Sequence, residues 1–416
     1  MWRRNSKFLF LVIVCIGATS CITKRISYNT DFASWYNSAT PSVLHPQVKV
    51  FHYRTDSSAI FFGLNNGELN FVLNDSVPTA TVQIKFKLWS LQQPSVLTDS
   101  ATVNFYFKLD PDVTPTAEIK MHAPTGLNYR CEYSIRDINS KLRCDDKLQL
   151  TKDGTKNNQY FLVKENDEVF FNPYASVNDS LQFYYFDNPN QQLTVKYYVP
   201  MFAPALPSYS NAVMKNVVIQ PDSIFQISSG QKIQLQQEGV YKIMAQRYDT
   251  AGIIVLRFHD GYPEITDASQ MIFPLRYFSK NDEYEQMMNA SDSKAAIDTL
   301  WLHIANMNLQ LANQLISEYY NRVQDANQWF TTYKEGWMTD RGMTLMVYGY
   351  PDHVYRELDR EVWNYNGSST EQPLSFTFLK NENSFSPNDF VLQRDYFYIS
   401  SWNTQVYQWR HGLINQ

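Results

Sequence analysis

The chain has 416 residues, 44% of them hydrophobic and 15% aromatic, and a formal net charge of -5. A chain this long and apolar buries sizeable cores, which excludes disorder and points to two or three domains. The acidic balance leaves no basic surplus to neutralise phosphates, so nucleic acid is excluded as a first class of partner.

The first 21 residues, MWRRNSKFLFLVIVCIGATSC, carry Arg3, Arg4 and Lys7, then an apolar run from Phe8 to Ile16, then small residues ending at Ser20 and Cys21. This is the pattern of a signal peptide over residues 1–20, too short for a permanent span. Its end, GATSC, resembles the lipobox of bacterial lipoproteins, which implies a lipid-modified Cys21 and a membrane anchor. The alternative is a plain secretory signal that leaves Cys21 free. Residues 21–46 then read as a linker. With Cys15 inside the signal, Cys131 and Cys144 remain, and in an oxidising compartment they are expected to form one disulfide across the hairpin built on EYSIRDINSKLR. Two thiols without a nearby histidine do not suggest a zinc site.

From about Val48 to Val199 the hydrophobic period is two. TVQIKFKLW sets Val82, Ile84, Phe86 and Leu88 on one face and Gln83, Lys85 and Lys87 on the other, and ATVNFYFKL repeats this with Val103, Phe105 and Phe107. Frequent short strands divided by Asn, Asp, Ser, Gly and Pro clusters predict antiparallel β-sandwiches, Ig-like in character, over residues 47–155 and 156–275. PMFAPALPSY, at 200–209, reads as a stiff connection.

Beyond residue 275 the grammar becomes helical. Leu300, Ile304, Ala312, Leu315, Ile316, Tyr319, Val323, Ala326 and Phe330 recur at helical spacings, with Asn289 or Ser291 as the expected N-cap and a break near Asn306. MTLMVYG reads as a strand, PDHVYRELDRE as a short helix or turn, and EVWNY, LSFTFLKN and NDFVLQRDYF as further strands. Residues 276–416 are thus an α+β domain, and the whole chain a β-rich multidomain protein whose two sandwiches project that domain outward.

The joint between helix and predicted strand, GWMTDRG, is followed by TLMVYGYPDHV, then WNY at 363–365, LSFTFL, and YQWRHG at 407–412. In that order these resemble the GWxTD-domain family of Bacteroidetes envelope proteins over about residues 275–416. The resemblance marks Gly336, Trp337, Thr339, Asp340, Arg341, Gly342, Gly349, Pro351, Asp352 and Trp363 as motif or interaction residues. It implies an envelope setting and no settled activity. A fainter likeness links YGYPDHV and WNY to a small lipoprotein domain of outer-membrane assembly machines.

An enzyme would take Asp340, Asp352 and His353, with Arg341, as acid-base or orienting groups. No G-x-S-x-G, H-E-x-x-H or phosphate-cradling glycine loop accompanies them, and no cofactor or metal is expected. Each motif residue instead has a structural use: Gly336 as a left-handed helix end, Trp337 as a core anchor, Thr339 and Asp340 as backbone caps, Arg341 as the partner of Asp340 or of a neighbouring carbonyl, and Gly342 as a tight strand entry. Gly349 and Pro351 would close that strand with a turn, the proline fixing φ at the start of the next helix.

The reading is a non-catalytic outer-membrane lipoprotein on the periplasmic face, a scaffold or accessory subunit of an envelope complex. Type IX secretion and gliding machinery is the first candidate and the outer-membrane protein assembly complex the second; the rival class is an envelope hydrolase or glycan-binding module.

Overall fold

The computed structural model describes residues 31–36 and 43–414, apart from 95, 187, 189, 201, 213–219, 248, 250, 358, 368–371 and 384. The signal segment and Cys21 lie outside the described residues.

Period-two patterning produces the first eight strands: β1 (Gln47–Phe51), β2 (Ser57–Gly63), β3 (Val72–Asn74), β4 (Val77–Ser90), β5 (Leu97–Lys108), β6 (Thr116–His122), β7 (Leu127–Asp137) and β8 (Arg143–Lys152). They form a three-stranded sheet, β1-β2-β6, and a five-stranded one, β3-β4-β7-β8, with β5 on β4. Val82, Ile84 and Leu88 are fully buried against Ile60 and Phe62 of the facing sheet, so the alternation read in TVQIKFKLW is the core face. Phe105 and Phe107, on the edge strand β5, are only half-buried.

The next eight are β9 (Phe161–Glu165), β10 (Glu168–Val169), β11 (Leu181–Tyr185), β12 (Gln192–Tyr198), β13 (Ser223–Ser228), β14 (Lys232–Ile233), β15 (Gly239–Met244) and β16 (Ile253–Arg257). Sheets β10-β9-β11-β14 and β13-β12-β15-β16 share a core of Val163, Phe183, Leu193, Val195, Ile243 and Val255. Both pairs are antiparallel and sandwich-like. A smaller apolar contact, Ala59 and Phe61 against Leu162 and Phe171, joins one to the other.

The expected disulfide is absent: Cys131 and Cys144 are free buried thiols. The β7–β8 hairpin does form, but its register sets Cys131 opposite Leu148 and Cys144 opposite Ile135. Four residues out of step along a strand is about 13 Å, beyond the reach of an S–S bond.

The remaining elements are α1 (Ala268–Ile272), α2 (Asn281–Met288), α3 (Ser293–Ile304), α4 (Leu309–Phe330), α5 (Asp340–Tyr348), β17 (His353–Arg356), β18 (Arg360–Tyr365), β19 (Leu374–Lys380), β20 (Phe390–Leu392) and α6 (Ile399–Arg410). The helices pack on the antiparallel sheet β17-β18-β19-β20, with Trp301, Trp363 and Trp409 fully buried between them. The helical break falls at Asn306 and Met307, both at positive φ, but α3 is capped by Asp292 rather than Asn289 or Ser291.

Two assignments reverse. MTLMVYG is the helix α5, capped by Thr339 and buried from Asp340 to Val347. An element enclosed on all sides carries no polar face, so its apolar run reads equally as strand or helix. HVYR, expected as helix or turn, is β17. The carboxy-terminal helix α6 occupies a stretch to which no helix was assigned.

The chain order also does not translate into projection. Phe32 and Tyr36 sit in the carboxy-terminal core, and the Phe32 N–H donates to the Val354 carbonyl at 2.8 Å. The segment before the first sandwich is therefore stapled to the last domain.

Candidate functional site

After α4 ends at Phe330, residues 331–335 lead into a single 3-10 turn, Gly336–Met338. Gly336 is not a left-handed helix end. Its requirement is space, since a Cβ there would stand 1.8 Å from the Ala326 carbonyl oxygen of α4. Gly342 lies in the first turn of α5 rather than at a strand entry, and its Cβ would stand 2.0 Å from the Gly336 carbonyl oxygen. Two glycines thus let α4, the turn and α5 approach backbone to backbone.

Polar groups close the joint. The Thr339 hydroxyl donates to the Gly336 carbonyl at 2.7 Å and accepts the Gly342 N–H at 3.1 Å, an N-cap satisfied in both directions. The fully buried Asn327 accepts the Trp337 N–H at 3.1 Å and donates to the Pro263 carbonyl at 3.0 Å. The Trp337 indole donates to Glu335 at 2.8 Å, as its burial requires. The proline-rich connection crosses here as well, with the Ala205 N–H on the Met338 carbonyl at 2.8 Å and the Lys334 ammonium on the Ala203 carbonyl at 3.2 Å.

Asp340 pairs with Arg394 rather than Arg341. It accepts the Leu392 N–H at 2.7 Å and the Arg394 guanidinium through both oxygens. Arg341 lies between the rings of Phe330 and Phe390, 4.8 and 4.5 Å from their centroids. It donates to the Asn388 carbonyl at 2.7 Å, to the Asn388 side chain at 2.6 Å, and to Glu361 at 3.3 Å.

Glu361, almost wholly enclosed, is the hub. It accepts the Trp363 indole at 2.5 Å, the Tyr36 hydroxyl at 2.7 Å and Arg356 at 3.1 Å. Burial opposes its ionisation, but Arg356 and Arg341 outweigh that and hold its carboxyl below the ordinary range. Sequence reasoning missed Glu361, although the signal existed: in REVWNY it shares the inward face with Trp363, and a carboxylate on an inward face needs cations.

The remaining motif residues lie apart from this joint. Gly349 ends α5 at φ 84 and accepts the Tyr365 hydroxyl at 2.9 Å. Pro351 is buried before β17, not at a helix start. Asp352 caps the Asn366 N–H at 2.6 Å, and His353 contacts Asp31 at 2.7 Å with both side chains about two-fifths exposed. Asp352 and His353 thus meet at Asn366, whose side-chain amide lies 3.4 Å from the His353 ring, while Asp340 is engaged elsewhere by Leu392 and Arg394. Among the described residues no His, Cys, Asp and Glu cluster could hold a metal ion.

Beside the joint, where both sandwiches and the carboxy-terminal domain meet, lies a cleft of about 940 Å³. Lys49, Gln149, Ile254, Thr332, Phe385 and Asn388 are among its walls. Asn388 ties the two features together. Arg341 grips it from the motif side, while its amide donates to the carbonyls of Trp329 and Thr331 at 3.1 and 3.2 Å. The motif so fixes one wall of the cleft.

Residues 239–411 match the profile described as the GWxTD domain, which starts in the second sandwich at β15 and runs to the end of α6. No curated protein matches the sequence. Among solved structures, a Bacteroides uniformis beta-glucuronidase aligns at 13% identity over 35% of this chain and 15% of its own, with a TM-score of 0.17. A red sea bream transglutaminase aligns at 12% identity over 53% and 32%, also at 0.17. This chain spans well under a fifth of the glucuronidase's length, and likenesses at these scores carry no functional argument.

Proposed function

The chain belongs to the GWxTD-domain family, and from that premise we propose that it is a non-catalytic outer-membrane lipoprotein, anchored through Cys21 on the periplasmic face. In this reading it braces an envelope complex as a scaffold or accessory subunit, with type IX secretion and gliding machinery as the first candidate. The two sheet pairs serve as Ig-like modules.

The observation that carries this reading is the use of the motif. Asp340 and Arg341, the groups an enzyme would expose, are enclosed and fully engaged by Arg394, Asn388 and Glu361. Such a buried polar network, satisfied except at the Arg394 Nε, fixes one arrangement of elements, a property suited to bracing. The Tyr36 staple adds a geometrical consequence. Ten peptide steps separate Cys21 from Asp31, a reach of at most about 35 Å for extended chain. A lipidated Cys21 would therefore hold the carboxy-terminal domain close to the bilayer, with the sandwiches attached to it.

The test is affinity purification of the full chain from detergent-solubilised membranes. Stoichiometric recovery of secretion or assembly subunits is expected, together with lipid labelling lost in Cys21→Ala. Recovery as a lone, unlipidated monomer overturns the proposal.

A further inference from the structure

The cleft at the three-module junction presents two strand edges, each paired over only part of its length: just past the end of β1 the His52 N–H donates to the Gln159 carbonyl at 2.8 Å. The Leu64 N–H turns toward β6, where it meets the Pro115 carbonyl at 2.9 Å. By alternation Ala59, Phe61 and Gly63 face β1 and bond their register partners Phe51, Lys49 and Gln47. Val48 and Val50 therefore direct their N–H and C=O groups away from β2, toward the cleft they line, and neither has a hydrogen-bond partner there among the described residues. The facing wall repeats the pattern. Leu256 turns away from β15 to exchange bonds with Pro173 and Ala175, at 2.9 and 2.8 Å, and Ile254, two residues earlier, faces the same way without a partner among the described residues.

A free edge is usually blunted by charge, proline or a covering loop. The β8 edge on this same cleft is covered in that way, since the Gln159 side chain donates to the Gln149 carbonyl at 2.8 Å and accepts the Thr151 N–H at 2.8 Å. That cover reaches β1 only at His52, and among the described residues no hydrogen bond covers Val48 or Val50. Between them stands Lys49, whose ammonium has neither an ion pair nor a hydrogen bond among the described residues; the other cleft lysine, Lys380, pairs with Glu382 at 3.3 Å.

We infer that this cleft takes an extended polypeptide segment of a partner protein by strand addition to β1, with an acidic side chain of that segment set against Lys49. Main-chain bonds to Val48 and Val50 give affinity, and the lone cation gives a sign preference. Lys49 is half-buried in the cleft wall, and burial alone pushes its amine down to about 8. Because Asn388 is a wall residue held by Arg341, the motif would preserve the cleft without touching its occupant. This inference rests on the partner-binding reading above and names the chemistry of the contact.

The test selects random decapeptides displayed on phage against the immobilised full chain. Sequences rich in β-branched residues alternating with Asp or Glu are expected. Val50→Pro removes only the outward N–H, a position where an edge strand tolerates proline, and should weaken the selected peptides at least tenfold. Lys49→Met should weaken acidic peptides and spare their Gln counterparts. If Val50→Pro lowers the melting temperature, slowed hydrogen exchange at Val48 and Val50 in peptide-saturated wild type replaces it. Equal binding to wild type, Val50→Pro and Lys49→Met, or no enrichment at all, overturns the inference. A chain that co-purifies with an envelope complex but selects no peptide loses this inference alone, whereas one that selects peptides but co-purifies with nothing loses only the scaffold.

Discussion

Gly336 packs its backbone against Ala326 so closely that an added Cβ would stand 1.8 Å from the Ala326 carbonyl oxygen. The obstructing atoms are backbone atoms of the buried helix α4, which cannot swing aside as a flexible side chain would. Gly336→Ala should therefore destabilise the carboxy-terminal domain by about 3 kcal/mol or more, at the upper end of overpacking costs. Urea unfolding followed by tryptophan fluorescence checks this, six of the nine tryptophans lying between residues 301 and 409. An unchanged midpoint would remove close packing as the reason for the motif's first glycine.

Glu361 is the shared acceptor of Arg341, Arg356, Tyr36 and the Trp363 indole. Glu361→Gln leaves the Arg341 guanidinium enclosed without a counter-charge, whereas the more exposed Arg356 can turn toward water. A loss of about 3–5 kcal/mol is expected, as for other half-broken buried pairs. Arg341→Met with Glu361→Gln should cost less than the sum of the singles, by about 1 kcal/mol or more, because the groups share one network. Additive losses in a double-mutant cycle by chemical denaturation would show that they act separately.

How far the sequence discloses this molecule depends on whether an element has two unlike faces. β4 has them, and its buried Val82, Ile84 and Leu88 were legible residue by residue. Helix α5 has none, being buried throughout, and was read as a strand. The glycines of the motif were recognisable as special, but their reason was a contact across turns that spacing alone does not encode. Arg394 and Asn388 lie some 50 residues from the motif groups they bind, and Glu361 about 20, so only folding brings that charge network into view. The cysteines teach the same lesson in reverse: nearness in sequence across a hairpin suggested a bond that strand register forbids.

The thiols supply a direct check. Burial pushes Cys131 up to about 12, with Glu132 adding to it, and raises Cys144 as well. Since the thiolate is the reactive form, neither should label with iodoacetamide in the folded protein at pH 8, and both should label at once in denaturant. Reductant should leave the melting temperature unchanged. A drop equivalent to about 2–4 kcal/mol on reduction would instead reveal a structural disulfide.

The pair Glu283 and Arg410 ties α2 to α6 through two contacts, 2.6 and 2.8 Å. The Arg410 hydrogen bonds outweigh partial burial and hold the Glu283 carboxyl down at about 2, against an ordinary value of 4.5. A depressed folded-state pKa contributes stability that is complete above the unfolded value and is lost as pH falls through the folded one. The window is therefore pH 4.5 down to 2, in which wild type should lose stability relative to Glu283→Gln. Burial raises the carboxyls of Asp325, Glu335 and Asp389, and these act in the opposite sense, favouring the folded state as pH falls. Their contribution is common to both proteins, so the difference between the two denaturation midpoints isolates the Glu283 carboxylate, held chiefly by Arg410 and in lesser part by the Lys280 N–H at 2.9 Å. That difference should favour wild type above pH 5 and shrink steadily toward pH 2; midpoints that run parallel across the window would show that Arg410 does not hold Glu283 in solution.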